Sequence, residues 1–460
     1  MDSSSNPVDA MVAHVMGTSY SDLPTDAVEA AKNFILDTFA CALAGSTGPS
    51  SDDALSAAKL WGTGDGARVW ARSDRLPPSS AAVVNAYQIH CLEFDCVHEG
   101  GVLHPMSTLM AATMAEVDRQ ASEGKKISGK DLVQAIAMGI DVSCSIATTS
   151  NAPMRFFRPA LTGGFGATTT VSLLRGFDGP KLHNALGLYY GQAGGNMQAH
   201  IEGSRLLGLQ VGFGARNAIV ACDLADSGIE GPKDFLTGMY GYLVLMEGDY
   251  TLEPVWSEWG KVFRLNEVGH KPFPSGRLTH YAIDALQRMM KEHAFTATDV
   301  AGVRCDVPPL PMRLVGRPDV PDPQPNYAKL CLGYICATTL LNGTITQHDF
   351  QPDALGRADV HDLASRVDVV DDGNPDLNAF GPQTITVTLK DGAQHALTIT
   401  HAIGDPMNPL PRDRQLEKFW ACWDSAQSAM PREQGQTLID LIDRLETLDD
   451  TSVLVDHICP

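Results

Sequence analysis

Positive charge is what this chain has least of. Its 460 residues carry 34 Lys and Arg against 55 Asp and Glu, a formal net charge of −21. Such a field favours solubility and repels nucleic acid and anionic membrane surfaces. A small anionic ligand is compatible with it only if a local cationic pocket is set against the global field. No apolar run reads as long enough to span a bilayer. The first residues, Met1-Asp2-Ser3-Ser4-Ser5-Asn6-Pro7, contain no basic residue and no apolar stretch, so they do not read as a secretory signal, and a cytoplasmic protein is expected. None of the ten cysteines forms a Cys-x-x-Cys pair, which removes zinc-ribbon and iron–sulfur spacings. Reduced, buried thiols are the expectation. No Gly-x-Ser-x-Gly elbow, P-loop or dinucleotide fingerprint is present, so covalent hydrolysis and phosphate-cradling chemistry are disfavoured.

What the chain does have is ordinary globular composition, 44% apolar, and a length that points to two domains. Apolar residues recur at helical spacing over 24–43, 79–92, 107–121, 128–149, 167–174, 215–225 and 235–245, with Ser128 as an N-cap. Only 67–71 reads as a strand in this half. Character changes near residue 265, where His270-Lys271-Pro272-Phe273-Pro274 breaks any helix. A helix over 279–293 follows. Ala301, Val303, Cys305 and Val307 alternate as in a half-buried strand. Residues 308–325 read as a Pro-rich loop, and 326–341 as a helix closed by Asn342-Gly343. Two strands flank Asp391-Gly392, a hairpin signal. Helices return over 411–426 and 432–448. The expected division is a helical domain, 1–265, completed by 408–460, with an α+β domain over 266–407.

The densest chemistry lies in residues 90–107, where His90, Glu93, Asp95, Cys96, His98, Glu99, His104 and Ser107 fall within eighteen positions. Imidazole exchanges protons near neutrality, and a carboxylate beside it orients the ring or shifts its pKa. His98 and His104 are six apart with two glycines between them, which does not match the helical pair of a zinc protease. A loop carrying acid–base histidines fits better. Cations that could hold a carboxylate are Arg155 and Arg158, before the Gly-rich Thr162–Gly166 stretch read as a turn opening a helix, Arg205 beside Gly203, and Lys271 at the handover between the two halves, where clefts favour ligands.

Ile35-Leu36-Asp37-Thr38, the stretch from His90 to Ser107, the Phe157–Gly166 segment, Gly212–Asn217, Lys271–Pro274 and Lys329–Gly343 together resemble the MmgE/PrpD family, which includes 2-methylcitrate dehydratase, cis-aconitate decarboxylase and iminodisuccinate epimerase. The resemblance covers nearly the whole chain. It implies a mainly α fold, a large helical domain with an inserted α+β lid, and a homodimer that uses no metal and no cofactor. The implied chemistry is proton movement at the carbon next to a carboxylate of a small di- or tricarboxylic acid. Carried over residue by residue, His104 matches the histidine of the family's His-Pro pair, Lys271 the lysine before Phe-Pro, and Asp95 the second acidic position. Glu93, Cys96, Val97, Phe157 and Leu207 depart from the pattern, and the departures at Phe157 and Leu207 argue against cis-aconitate decarboxylation. On this reading His104 is the principal acid or base and His98 a second proton carrier. Asp95 and Glu93 tune the rings, and Lys271, Arg158, Arg155 and Arg205 hold carboxylates. A hydro-lyase is the expected activity. An epimerase, a decarboxylase and a non-catalytic carboxylate-binding homologue are the alternatives.

Overall fold

The computed structural model describes residues 6–460; the N-terminal residues read above for a signal lie, up to Ser5, outside the described residues. The helical half is built on α1 (Thr25–Gly45), α2 (Pro78–His90), α3 (Pro105–Ser122), α4 (Gly129–Thr148), α5 (Arg158–Leu174), α6 (Gly179–Tyr190) and α7 (Leu206–Asp226). Helix α5 packs against α3, α4 and α7, and α2 packs against α1, α3 and α7. Ser128 caps α4 as its spacing predicts, its hydroxyl accepting the Asp131 N–H at 3.2 Å. One expectation needs correcting. Helix α4 does reach the length and hydropathy of a membrane span, but 83% of its apolar window is buried inside the protein, as in the core helix of a globular fold.

The Gly-rich segment 162–166 is not a turn. It lies within α5. A methyl group on Gly164 would sit 1.9 Å from the Tyr189 hydroxyl, and one on Gly166 would sit 2.4 Å from the Gly139 carbonyl. Glycine is there to let helices approach closely, and that packing outweighs its poor helix propensity. The helix expected over 235–245 is mostly turns, ending in a π-helical turn at Leu243–Glu247.

The second half holds a four-stranded sheet of β3 (Val300–Val307), β4 (Val367–Asp371), β5 (Gln383–Leu389) and β6 (Gln394–Ile399), once the short strands β1 (Val97–His98) and β2 (Val268–Gly269) are counted. Strand β3 pairs parallel with β4 and antiparallel with β5, which forms the expected hairpin with β6. Ala301 is exposed rather than inward, because the β3–β5 register shifts between Val300 and Gly302 and brings Val300 into the core instead. Helices α8 (His280–His293) and α9 (Leu332–Asn342) cover this sheet, and α9 ends on Gly343 in the left-handed conformation. The Pro-rich stretch contains a short helix, Pro309–Val315. The chain then returns: α10 (Arg412–Asp424) and α11 (Arg432–Asp443) pack on α1. Buried Lys418 of α10 bonds Asp37 of α1 at 2.7 Å and donates to the Phe94 carbonyl at 2.7 Å, tying the chain end to the loop after α2.

Candidate active site

The loop between α2 and α3 carries the cluster seen in the sequence. It is stitched to a segment about 170 residues away by the antiparallel β1–β2 pair, Val97 opposite Gly269 and His98 opposite Val268. That pair brings Lys271 under the loop. Lys271 is fully buried, and its ammonium donates to the Glu93 carboxylate at 3.0 Å and to the Glu93 carbonyl at 3.2 Å. Glu93 and Val102 both have left-handed backbones, φ 54° and 52°. For a β-branched residue this is a true outlier, and such strain persists only where the surroundings enforce it.

Two imidazoles meet here at opposite helix ends. His90 closes α2 and His104 precedes Pro105 of α3; their ring centroids are 4.9 Å apart. His90 Nδ1 is 3.0 Å from Asp95 Oδ2. Burial pulls the His90 pKa down, but Asp95 and Glu93 pull harder and the net shift is upward. His104 goes the other way. Burial, and after it the Lys271 ammonium, lower its pKa to about 4. Placement agrees in both cases, since a helix C-terminus favours a cation and an N-terminus disfavours one. Glu93 and Asp95 resist burial and stay below the usual carboxylate range, Glu93 chiefly through Lys271 and Asp95 chiefly through His90. Lys329, buried with its ammonium on the Cys91 carbonyl at 3.0 Å, is lowered to about 8 by burial. Lys271, Lys329 and a His90 shifted toward its protonated form therefore gather around Glu93 and Asp95, positive charge concentrated where the acidic composition requires it.

The tautomer of His104 follows from its partner. Nδ1 lies 2.9 Å from the Cys96 carbonyl, which can only accept, so Nδ1 carries the proton and Nε2 the lone pair. His104 and Glu93 line a small cavity walled by Val102, Met154, Phe157, Leu314, Phe380 and others. His90, Asp95 and His104 offer ligand atoms within 4.8 Å of one another. However, the contact of His104 Nδ1 with a carbonyl requires an N–H, and His90 Nδ1 is bonded to Asp95. Both bonds are made by Nδ1 and leave the two Nε2 atoms free, but a cation held by this set would sit beside the Lys271 ammonium, whose charge opposes it. The set fits proton transfer better than a metal.

Glu93, Asp95, His104 and Lys271 are thus brought together as expected. The other four candidates are not. His98 has both ring nitrogens engaged, Nε2 with Glu267 at 2.9 Å and Nδ1 accepting the Gly101 N–H at 2.9 Å, and it does not line the cavity. Arg158 is locked in the core on Glu247, Ser150 and the Ala152 carbonyl. Arg155 is exposed. Arg205 is exposed and bonds Ser50. The sequence reading missed Lys329, although it lies at the head of a segment that carries the resemblance. It also missed His200, which lines the cavity, and Arg317 beside it.

The family model of the MmgE/PrpD N-terminal domain matches residues 9–254, and that of the MmgE/PrpD C-terminal domain matches residues 273–446. The chain belongs to the MmgE/PrpD family. Its similar relatives include the cis-aconitate decarboxylase of Homo sapiens, 28% identical over 96% of this chain and 92% of the relative. The cis-aconitate decarboxylases of Mus musculus (26%, covering 96% and 91%) and Aspergillus terreus (25%, covering 95% and 93%) are also similar.

Proposed function

We propose that the chain is a lyase acting on a small di- or tricarboxylic acid, with His104 moving the proton at the carbon α to a carboxylate. The observation that carries this is the lone pair of His104 Nε2, on a ring held neutral in a cavity against buried Lys271. Removing an α-hydrogen places charge on a group that is already anionic, so the reaction needs a base near the hydrogen and cations at the carboxylate. His104 supplies the first, and Lys271, buried behind Glu93 of the cavity wall, supplies positive charge from beneath it. Lysine 271 is spared exchange with solvent by its burial, and in that low-dielectric setting its charge acts on the developing enolate more strongly than it would in water.

The finer reading is a hydro-lyase. A ring with a pKa of about 4 is a base rather than an acid at neutral pH, which suits abstraction of a proton from carbon. The same ring then hands that proton to the departing β-hydroxyl oxygen. The C–H and C–O bonds break, a C=C bond forms and water leaves, so the balance closes on one residue. An epimerase that removes a proton from one face and returns it to the other calls for a second base, and His98, the candidate for it, is engaged elsewhere. The second reading is decarboxylation, favoured by the names of the relatives. It would need His104 protonated, since loss of carbon dioxide leaves a carbanion to be quenched. Incubating the protein with hydroxylated and unsaturated di- and tricarboxylic acids in heavy water, followed by proton NMR, tests both readings. Hydro-lyase activity interconverts hydroxy acid and alkene with deuterium at the α-carbon. Carbon dioxide release with a deuterated product marks decarboxylation. No turnover of any polycarboxylate contradicts the proposal.

A further inference from the structure

A second imidazole on the cavity wall presents the opposite face of its chemistry. His200 Nδ1 lies 3.1 Å from Arg317 Nη2. A guanidinium only donates, so Nδ1 is the acceptor and the ring proton sits on Nε2. Burial, reinforced by the Arg317 charge, lowers the His200 pKa to about 3, so the ring stays neutral. His200 therefore offers an N–H where His104 offers a lone pair.

Arg317 itself is unusual in this molecule. Buried arginines elsewhere each hold a carboxylate: Arg158 on Glu247, Arg175 on Glu116, Arg264 on Glu267 and Arg277 on Glu99. Arg317 has no carboxylate partner among the described residues. Its Nη2 donates to the Leu314 carbonyl at 3.0 Å, its plane lies over the Tyr327 ring at 4.9 Å, and its Nη1 is sealed from solvent with no acceptor. An unpaired buried guanidinium nitrogen is costly, and a chain with so many carboxylates has not supplied one. The arginine stands one residue, Gly316, beyond Leu314 and Val315, which line the cavity with His200.

We infer that His200 is a second carboxylate-binding station, taking a carboxylate of the substrate other than the one beside Lys271 through its Nε2–H, with Arg317 fixing the tautomer of the ring through Nη2 and lending its uncompensated charge from behind the cavity wall. This rests on the carboxylic-acid reading above and adds to it where a second carboxylate of the substrate is held, at His200 and away from Lys271. Nothing in the charge pattern of the Gly-rich segments would have located it, because Arg158 and Arg205 bond other partners and Arg155 is exposed.

The test is an NMR titration of the full-length protein with propane-1,2,3-tricarboxylate, which binds without having a hydroxyl to lose, and with propionate as a single-carboxylate control. One charge-assisted contact is worth about tenfold to hundredfold in affinity. Arg317→Met is expected to weaken the tricarboxylate by about that factor while leaving propionate nearly unchanged, and Arg317→Lys to recover part of the loss. His200→Gln, whose amide N–H can take the place of Nε2–H, is expected to retain binding that His200→Phe loses. Unchanged tricarboxylate affinity in both Arg317→Met and His200→Phe overturns the station. Equal losses for tricarboxylate and propionate overturn it too, since that pattern marks a structural fault. A parent protein that binds no polycarboxylate and turns none over in the acid panel overturns the carboxylate reading of the whole cavity and this station with it, whereas turnover in the panel without tricarboxylate binding overturns the station alone.

Discussion

Replacing Lys271 by Met should expose how the site is held together. Lys271 is fully buried and Glu93 nearly so, and the ammonium makes two contacts with Glu93, at 3.0 and 3.2 Å. Both groups have already lost their hydration, so removing one leaves the other as an uncompensated charge in the interior. That costs about 3–5 kcal/mol, whereas an exposed pair would cost under about 1. Glu93 would relieve part of it by taking up a proton, since the ammonium that holds its pKa down is gone. The double variant Lys271→Met/Glu93→Gln removes both charges, so it should recover most of the lost stability, with a coupling energy of about 2 kcal/mol or more. Urea unfolding followed by circular dichroism measures all four corners of the cycle. A Lys271→Met cost under about 1 kcal/mol, or no coupling with Glu93→Gln, would refute the claim that this pair is a desolvated clamp between the loop after α2 and the segment after β2.

Two further predictions concern protons and packing. His104, His200 and His270 are held neutral by burial at pKa values of about 4, 3 and 4. An unfolded chain protonates histidine near about 6.5. The unfolded state thus binds more protons between those values, and stability is present in full above about pH 6.5 and is lost as pH falls toward 4, by on the order of 3 kcal/mol per ring. His90, shifted upward, works in the opposite sense and offsets part of this. Unfolding midpoints in urea should fall steadily from pH 7 to 5; a flat profile contradicts the account. Gly164→Ala forces a methyl to within 1.9 Å of the Tyr189 hydroxyl, so α5 and α6 must separate. A loss of about 1–3 kcal/mol is expected, and an unchanged melting temperature would show that the two helices are not in close contact.

Much of the site was legible because its chemistry is local in sequence. Glu93, Asp95 and His104 sit in one loop, and Lys271 stands out by the prolines around it. The remainder depends on pairings that no window can contain. Arg158 looked free until Glu247, 89 positions on, took its charge, and His98 looked catalytic until Glu267 engaged its Nε2. Glycines at 163, 164 and 166 read as a turn because propensity is local, while the helix they belong to is set by Tyr189 and Gly139 from neighbouring helices. His200 and Arg317 carry no signature of their own; what distinguishes Arg317 is a missing partner, which appears only once the chain is folded. The strand at β3 was correctly placed, yet its first inward residue was displaced by a register shift that alternation alone does not reveal.

The most direct test of the central claim is solvent deuterium incorporation at the α-carbon of whichever acid the parent protein turns over, compared between the parent and His104→Gln. The account predicts that incorporation stops in the variant while its fold and its affinity for propane-1,2,3-tricarboxylate are kept. Incorporation at the parental rate in His104→Gln would contradict it.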